Sequence, residues 1–472
     1  MEGIITCLEQ LNAGLGKIDN ILWGWVMAFL LLATGIAFTI RLRFPQIRHI
    51  KEVFGTLQVR KQQPEEKEGD KKAISGFAAL CAAVGGQVGT GSLVGVASAL
   101  AAGGPGALFW MWVTALVGMA TSFAEVVLGQ LYHEKGADGN YYGGAHYYMR
   151  KGLHSRVRPV AYAVTTIFTI GFAMTMIQNN SISAAVVNVV DVPLMVPGVI
   201  VTVLAAVIAF GGAKAITDTA SKIVPFMAVG YVGITLFIVI SHITLMPAMI
   251  KTVFTYAFSS QAAAGGIAGY TIQQAFRQGI ARGLFSNDAG NGCHSSMHAT
   301  AKVSHPAKQG FAAMLGTFLT TIVICSCTGF AILLTGVLST DAEGINLVQE
   351  AFAAATGPVG RWVVLCAMAL FGFTTLVANI FYGEVSVRYL FKHNTEGKVI
   401  VYKIAALILI LLGAVMPLDS LWNLVDFFTA FLIMINAPSI LQLSGKVKTV
   451  LLDYEKQKAA NTDKIVWKET DI

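Results

Sequence analysis

Long apolar segments alternate with short polar ones over most of the chain. A helix needs about 20 residues to cross a bilayer. Eleven apolar segments approach or exceed that length, near residues 21–40, 74–101, 107–131, 160–187, 194–211, 223–242, 268–300, 309–337, 359–390, 401–416 and 421–443. An amphipathic stretch near 247–263 is typical of a helix that lies flat on a membrane surface. The pattern predicts an all-α polytopic membrane protein of about 11 transmembrane helices.

Two glycine-rich stretches interrupt two of these segments, about 200 residues apart. They are Gly85–Gly91 (GGQVGTG) and Ser286–Gly292 (SNDAGNG). Non-helical backbone inside a membrane survives only where it is buried in protein or lines a cavity. Matching interruptions in two halves of a chain point to the binding site of a secondary transporter. Each interrupted span opens a block of five, and the two run in opposite directions. We therefore expect a LeuT-like five-plus-five inverted repeat with one extra N-terminal helix.

The distribution of Lys and Arg predicts the orientation and the boundaries of the parts. With the N-terminus outside the cell, 28 of the 33 Lys and Arg residues lie in cytoplasmic loops, their flanks or the tail, as the positive-inside rule requires. The expected parts are an N-terminal helix with a cytoplasmic loop (1–73), a first repeat (74–242), an extracellular amphipathic connection (243–267), a second repeat (268–445) and a cytoplasmic tail (446–472). This arrangement predicts a multi-pass protein of the cell (inner) membrane. Residues 58–72 are expected to form a charged, solvated loop.

Composition excludes several classes of protein. Only 12% of the residues are charged, against about 25% in an ordinary soluble domain, so the lipid bilayer is the expected surrounding. The net charge of +7 follows from topology, and no nucleic-acid partner is predicted. The six cysteines show no disulfide or zinc spacing, so we expect buried reduced thiols. We find no nucleophile–base constellation, which argues against an enzyme, and we expect no organic cofactor.

The first break has the chemistry of a site for both a carboxylate and a cation. A half-helix begins at Gly89, Thr90 and Gly91, and the N–H groups of a helix N-terminus suit a carboxylate. The preceding half-helix ends near Val84–Val88 with carbonyls that suit a small cation. The alternative is a glycine-rich contact that lets neighbouring helices pack closely.

The second break places Asn287 and Asp288 at the depth of the membrane centre, where a carboxylate is expensive and usually functional. Asp288 is a candidate for holding a substrate ammonium, binding a cation or shuttling a proton. The alternative is a buried ion pair with Arg282 or Arg277. Cys293, His294 and His298 have helical spacing, but three scattered ligands without a fourth argue against a metal site.

Other polar residues also interrupt apolar helices. The hydroxyls of Thr374 and Thr375 can complete an oxygen shell for Na⁺ beside the first break. The alternative for each is a hydrogen bond to its own helix. The remaining candidates are amides and carboxylates, of which the carboxylates can equally bridge helices or lie near an interface: Gln178, Asn179, Asn180, Glu125, Glu384 and Asp426.

Five segments together resemble one family of transporters. They are GGPGALFWMWVTALVG (103–118), VGTGS (88–92), ARGLFSNDAG (281–290), GGAHYYMRKGL (143–153) and FTTLVANIFYGE (373–384). From about residue 20 to 445 the chain resembles the sodium:alanine symporter family. The resemblance implies uptake of an amino acid coupled to Na⁺, less often H⁺, with no obligatory protein partner.

The resemblance also implies a location for each ligand. Substrate would lie between Gly89–Gly91 and Phe285–Asp288 (Phe285, Ser286, Asn287, Asp288), with Gln178 and Asn180 facing the pocket. Na⁺ would lie between the carbonyls of Gly85 and Val88 and the hydroxyls of Thr374 and Thr375.

Departures from the family pattern bear on the substrate. Asn379 stands where relatives usually carry Trp, Asp288 stands for Glu, and Cys293–His294–Ser295 stands for Ser-Ala-Pro. A polar wall in place of an apolar one favours substrates that it can hydrogen-bond. We expect a substrate larger or more polar than alanine, such as glutamine, asparagine, serine or threonine. The competing interpretations are a proton-coupled carrier or exchanger on the same fold, and a non-transporting amino-acid sensor.

Overall fold

The computed structural model describes residues 14–19, 21–57, 74–136, 139–258, 272–391, 395–460, 462 and 465–468. Nearly all of them are helical. The helices are α1 (Met27–Arg41), α2 (Pro45–Arg48), α3 (Ile50–Gly55), α4 (Gly76–Thr90), α5 (Val96–Gly103), α6 (Gly106–Leu131), α7 (Ala145–Lys151), α8 (Arg158–Thr166), α9 (Met174–Val187), α10 (Met195–Ala209), α11 (Gly212–Ser241), α12 (Met246–Phe258), α13 (Ile272–Asn287), α14 (His294–His298), α15 (Pro306–Thr317), α16 (Ser326–Thr335), α17 (Gly344–Thr356), α18 (Val359–Leu390), α19 (Thr395–Gly413), α20 (Leu418–Gln442) and α21 (Ser444–Ala459).

Short wider or tighter turns join some of these helices. A π-helical turn at Leu22–Val26 leads into α1. Further π-helical turns follow α4, α8 and α15, at Gly91–Gly95, Ile167–Ala173 and Phe318–Cys325, and 3₁₀ turns lie at Ile243–Leu245 and Val337–Ser339. Two short strands, β1 (Glu134–Lys135) and β2 (Tyr141–Tyr142), pair antiparallel with Glu134 opposite Tyr142.

Seven helical stretches of the described residues are long and apolar enough to cross a membrane. They are Gly76–Gly103, Gly106–Leu131, Arg158–Val187, Gly212–Ser241, Pro306–Thr335, Val359–Leu390 and Leu418–Gln442. Three shorter apolar helices are Met27–Arg41, Met195–Ala209 and Ile243–Phe258. Of these three, Met27–Arg41 and Met195–Ala209 fall on predicted spans, and the last two predicted spans fall on α13 with α14 and on α19. The described chain is therefore predominantly helical with seven candidate membrane spans, and the total of eleven crossings remains a prediction.

One predicted boundary is wrong. The sixth span was expected to begin near residue 223, but α11 already begins at Gly212, directly after a turn in which the Gly211 N–H bonds to the Ile208 carbonyl. Lys214 and Lys222 consequently lie within a helix and not in a loop. Long Lys side chains reach polar surroundings from a helix end while their stems stay among apolar atoms.

Two further predictions need qualification. Among the described cysteines, Cys366 is exposed and the other four are buried, so the expectation of buried thiols fails at Cys366. The amphipathic stretch forms α12 up to Phe258, and its remainder, like the charged loop 58–72, lies outside the described residues. The predicted parts 1–73, 243–267, 268–445 and 446–472 each extend beyond them as well.

The helices that carry the two breaks occupy the middle of the bundle. Helix α4 packs against α18 and α11, and α13 packs against α6. Residues 79–97 are buried without interruption, as are residues 279–301. Because both stretches are enclosed by other helices, their irregular backbone is shielded from lipid.

Candidate substrate and ion site

Gly89 is the point at which the first interrupted helix loses its helical geometry. Its φ of −18° and ψ of −138° are far from helical values. The Gly89 N–H donates to Thr375 Oγ1 at 2.9 Å. A Cβ atom at this position would overlap Thr375 Oγ1 and would lie 2.5 Å from Gln178 Oε1. Only glycine leaves room for both side chains to reach the break.

Gln178 on α9 bonds to the residue after the break. Its Oε1 accepts from the Thr90 N–H at 2.8 Å and from Thr90 Oγ1 at 2.6 Å. Gln178 and Thr90 are both buried. The polar groups freed by the break are thus satisfied by side chains from α9 and α18, as buried backbone groups require.

The second break is wider than the first. Helix α13 ends at Asn287, and Asp288, with a φ of +57°, adopts the left-handed conformation. Asn287 Oδ1 accepts from the Ala289 N–H at 3.0 Å, and Asp288 Oδ1 accepts from Asn291 Nδ2 at 2.7 Å. The irregular chain ends where α14 begins at His294.

Direct hydrogen bonds join the two breaks. Gln87 Nε2 donates to the Asn287 carbonyl at 2.8 Å, and Ser92 Oγ lies 3.0 Å from Ser286 Oγ. The sequence analysis missed Gln87, although it is the only long polar side chain within the first glycine-rich stretch. Residues about 200 positions apart therefore form one polar centre.

Oxygen atoms gather on the α18 side of the first break. The Gly85 carbonyl accepts from Thr375 Oγ1 at 2.7 Å and lies 3.1 Å from Thr374 Oγ1. Thr374 Oγ1 is also 3.1 Å from the Leu370 carbonyl of its own helix, so the alternative of a bond within the helix holds at the same time. The Val88 carbonyl instead accepts from the Gly91 N–H.

Several predicted partners are arranged differently. Arg282 forms a two-bond ion pair with Asp426, at 2.8 and 2.7 Å, so a pair of Arg282 with Asp288 is wrong. Glu384 lies 2.8 Å from Arg388 and 2.7 Å from Lys403. It therefore bridges α18 and α19.

The two asparagines after Gln178 point elsewhere. Asn180 Nδ2 donates to the Gly413 carbonyl at 3.0 Å and to the Met416 carbonyl at 2.8 Å, where it caps the end of α19. Asn179 Nδ2 donates to the Ile410 carbonyl at 2.9 Å. Successive residues of a helix point about 100° apart, so Asn180 faces away from the break that Gln178 touches. Its expected place in the pocket is not supported.

Asn379 lies one helical turn beyond Thr375 on α18 and is 2% exposed. Its Nδ2 donor is buried and has no hydrogen-bond partner among the described residues.

Phe285 packs edge to face against Trp422, with ring centroids 4.8 Å apart. A small cleft with a cavity volume of about 10 Å³ lies beside Thr374, and its other lining residues are mostly apolar. In the part of the chain that the structure describes, no group of three or more His, Cys, Asp or Glu side chains could hold a metal ion.

Comparison with known proteins agrees with this architecture. The model of the sodium:alanine symporter family matches residues 8–468. The chain is 37% identical over 455 residues to the probable sodium/glutamine symporter GlnT of Bacillus subtilis, which covers 96% of this chain and 93% of GlnT. It is 36% identical over 438 residues to the sodium/alanine symporter AgcS of Methanococcus maripaludis, which covers 91% of this chain and 94% of AgcS.

A solved structure shares the fold. The fold matches that of MhsT in complex with L-phenylalanine with a TM-score of 0.54, at 14% identity, over 85% of this chain and 92% of that one. The resemblance seen in the sequence is confirmed, together with a helical fold of the LeuT type. The chain therefore belongs to the sodium:alanine symporter family, and it is a membrane transporter rather than an enzyme.

Proposed function

We propose that this protein imports a small neutral amino acid by symport with Na⁺ through alternating access. The observation that carries the proposal is the meeting of two interrupted helices in one buried polar centre, through the bond from Gln87 to the Asn287 carbonyl. Transporters built from inverted repeats bind substrate and ion at such a centre. The family and the two named symporters support coupling to Na⁺ and an amino-acid substrate.

The substrate's carboxylate would bind at the start of the half-helix formed by Gly89, Thr90 and Gly91. Helix N-termini attract anions through their N–H groups and the helix dipole. Thr375 Oγ1 and Gln178 Oε1 would first have to release the N–H groups of Gly89 and Thr90. The remaining contacts would come from Gln178, Asn379 and the second break: Phe285, Ser286, Asn287 and Asp288. Asn180 is left out, because its amide already caps α19.

Na⁺ would bind between the Gly85 carbonyl and the hydroxyls of Thr374 and Thr375. The Gly85 carbonyl oxygen lies 3.1 Å from Thr374 Oγ1 and 2.7 Å from Thr375 Oγ1. Hard cations prefer carbonyl and hydroxyl oxygens. Val88 would join only after its carbonyl releases the Gly91 N–H.

The polar substrate side chain would face Asn379. Its unpartnered, buried Nδ2 is a cost unless a ligand accepts its hydrogen bond. Such a site rejects substrates without a matching acceptor more strongly than an apolar pocket discriminates by size. Glutamine, asparagine, serine and threonine are therefore preferred to alanine and glycine.

The topology that goes with this function has eleven crossings, the N-terminus outside the cell and the C-terminal tail in the cytoplasm. The positive-inside distribution of Lys and Arg supports it. The moving parts would be the helices that carry the two breaks, which rock against the other helices of the bundle.

The test is uptake by proteoliposomes that contain the purified protein. Labelled glutamine and labelled alanine are supplied with an inward Na⁺ gradient and, separately, with K⁺ in place of Na⁺. Accumulation that needs Na⁺ supports symport, whereas accumulation driven only by a pH gradient supports the proton-coupled alternative. Binding without any accumulation, under either gradient, supports the sensor.

The variant Asn379→Trp tests the polar pocket. It should shift the preference from glutamine toward alanine, and Asn379→Gln, which keeps an amide donor, should keep a polar preference. An unchanged ranking of competing amino acids in Asn379→Trp contradicts the role of this residue. Uptake by Asn180→Ala serves as the control, since loss of its cap should not change the ranking.

A further inference from the structure

A glutamate and a histidine face each other in a fully buried region between α6 and the second break. Glu125 Oε2 lies 3.6 Å from His294 Nε2, and both side chains are 0% exposed. Among the described residues, neither Glu125 Oε2 nor either ring nitrogen of His294 has a hydrogen bond of good geometry. Buried polar atoms without partners are costly. A proton on either group would let the two bond to each other after a small approach, and that bond would lower the cost.

The other carboxylate oxygen is fixed by two elements of the transport machinery. Glu125 Oε1 accepts from the Gly290 N–H at 3.1 Å and from Asn436 Nδ2 at 2.5 Å. Gly290 belongs to the second break, and Asn436 lies on α20. Glu125 therefore ties α6 to two segments that must move relative to one another in alternating access.

Among the described residues, the titratable groups around Glu125 and His294 include no Lys or Arg. Those near Glu125 or His294 are Asp288 and Cys293 in the second break, Tyr148 on α7, Tyr162 on α8 and His298 on α14. The backbone carbonyls of Ser122 and Asp288 lie beside the His294 ring.

Two of these neighbours already have partners. The ring centroid of His298 lies 6.0 Å from that of His294. His298 Nδ1 accepts a hydrogen bond from Gln309 Nε2 at 2.6 Å. Asp288 accepts from Asn291. The ion pairs of the described residues include no Lys or Arg at Glu125.

Electrostatics then favours one proton per pair. With one proton the pair is neutral overall, whether the proton sits on the carboxylate or makes an imidazolium ion pair. Without it the buried site carries a net negative charge, and with a second proton a net positive one, and each is expensive away from water. In water a Glu carboxyl ionises near pH ~4.3 and an imidazole near pH ~6.5. A pair reached by water above neutral pH therefore gives its proton to the solvent.

Glu125 lies near the end of α6 that the predicted topology places at the cytoplasm. We propose that Glu125 and His294 form a proton-binding site that takes up one proton from the cytoplasm when the inner side of the transporter closes and returns it when that side opens. No proton crosses the membrane in this step, because it enters and leaves on the same face. The inference rests on the proposed alternating access. It is specific to chains that carry His294, because the family pattern that this chain resembles has Ala at that position.

The test is exchange of labelled substrate across proteoliposomes with equal Na⁺ and equal pH on both sides. The wild-type exchange rate should fall as the pH rises from about 6 to about 8.5, by at most about tenfold per pH unit, because one proton must rebind before closure. Glu125→Gln is neutral without a proton, so its exchange should be independent of pH. His294→Ala leaves the carboxyl alone, and the dependence should move about 2 pH units lower.

A second readout does not depend on a rate. In weakly buffered detergent solution with a pH indicator, addition of Na⁺ and substrate should make the wild type take up as much as one proton per molecule. Glu125→Gln should take up none. If Glu125→Gln does not fold, the test rests on His294→Ala. A pH profile of exchange in His294→Ala that matches the wild type overturns the inference.

The matched control is His146→Gln. His146 is another buried histidine, 1% exposed, and it is surrounded by the rings of Tyr147, Tyr162 and Tyr389 rather than by a carboxylate. Its profile should match the wild type, and a flattened profile here would overturn the assignment to Glu125 and His294. If every variant exchanges substrate with the same pH profile, this inference is wrong but the proposed function is not affected. Absence of exchange in the wild type overturns the proposed function and this inference with it.

Discussion

Arg282 and Asp426 form a two-bond ion pair at the edge of the candidate substrate site, with N–O distances of 2.8 and 2.7 Å. The guanidinium also lies 3.9 Å from the centroid of the Trp422 ring, and Trp422 packs on Phe285. This chain of contacts joins α13 to α20 beside the second break. In the proposed alternating access, opening the site on this side would separate those helices, so we expect the pair to act as a latch.

Replacing Asp426 by Asn should weaken this latch. It leaves the Arg282 guanidinium without its charge partner, and lost hydrogen bonds to a charged group typically cost about 1.5–3 kcal/mol of stability. Thermal unfolding in detergent measures the change. The double variant Arg282→Gln/Asp426→Asn should lose less than the two single changes together. Glu350→Gln breaks the more exposed pair with Arg361 and should cost no more than about 1 kcal/mol; equal losses in both pairs would contradict the latch.

Thr375→Val should weaken Na⁺ binding. The change removes the hydroxyl that donates to the Gly85 carbonyl and accepts from the Gly89 N–H. We expect the Na⁺ concentration for half-maximal uptake to rise about tenfold, which corresponds to about 1.4 kcal/mol. Thr375→Ser keeps the hydroxyl and should stay close to the wild type. Thr235→Val, which removes a hydroxyl that donates to the Tyr231 carbonyl of its own helix, is the control and should leave the Na⁺ dependence unchanged.

Gly89→Ala should abolish transport. The added methyl group would overlap Thr375 Oγ1 and press against Gln178, and overpacking of this kind costs about 1–3 kcal/mol. Gly95→Ala is the matched change in the same interrupted helix, where the nearest atoms to the new Cβ are 3.8 and 3.9 Å away. Uptake and thermal stability, measured side by side, should separate the two variants. Normal uptake by Gly89→Ala would mean that the break tolerates a side chain.

Acid should destabilise the protein through His305, in the loop before α15, because this histidine is buried. His305 Nε2 lies 3.1 Å from Asp453 Oδ2 on α21. Burial lowers the pKa of His305 below its ordinary 6.5, and the bond and charge of Asp453 offset only part of that effect. The unfolded chain then binds more protons than the folded one between the lowered pKa and 6.5, so stability rises with pH across that window.

The expected result is a falling unfolding temperature as the pH drops below about 6.5. His305→Gln, which cannot be protonated, should show a smaller fall over the same range. His154, an exposed histidine, supplies the control His154→Gln, whose pH profile should match the wild type. A fall of equal size in His305→Gln would assign the acid effect to other groups.

Local sequence determined the helices and both breaks. Runs of apolar residues long enough to cross a bilayer leave α-helix as the structure that satisfies the backbone in lipid, and α18 spans the predicted residues 359–390. Gly89 and the stretch around Asp288 interrupt their helices where glycine and short polar residues replace the apolar run. Both signals are contained in a few neighbouring residues, so they can be recognised without knowledge of the fold.

Tertiary structure alone decided which side chains meet. Gln87 reaches Asn287, Arg282 takes Asp426 rather than Asp288, and Glu125 faces His294. Each contact depends on how two helices are rotated about their axes and how closely they approach. Asn180 was expected near the first break, but it lies two residues after Gln178 on α9. Its amide therefore points toward the end of α19. Hydrophobic pattern specifies that a helix is buried in this bundle, but in a helix apolar on nearly every side it does not specify which face meets which neighbour.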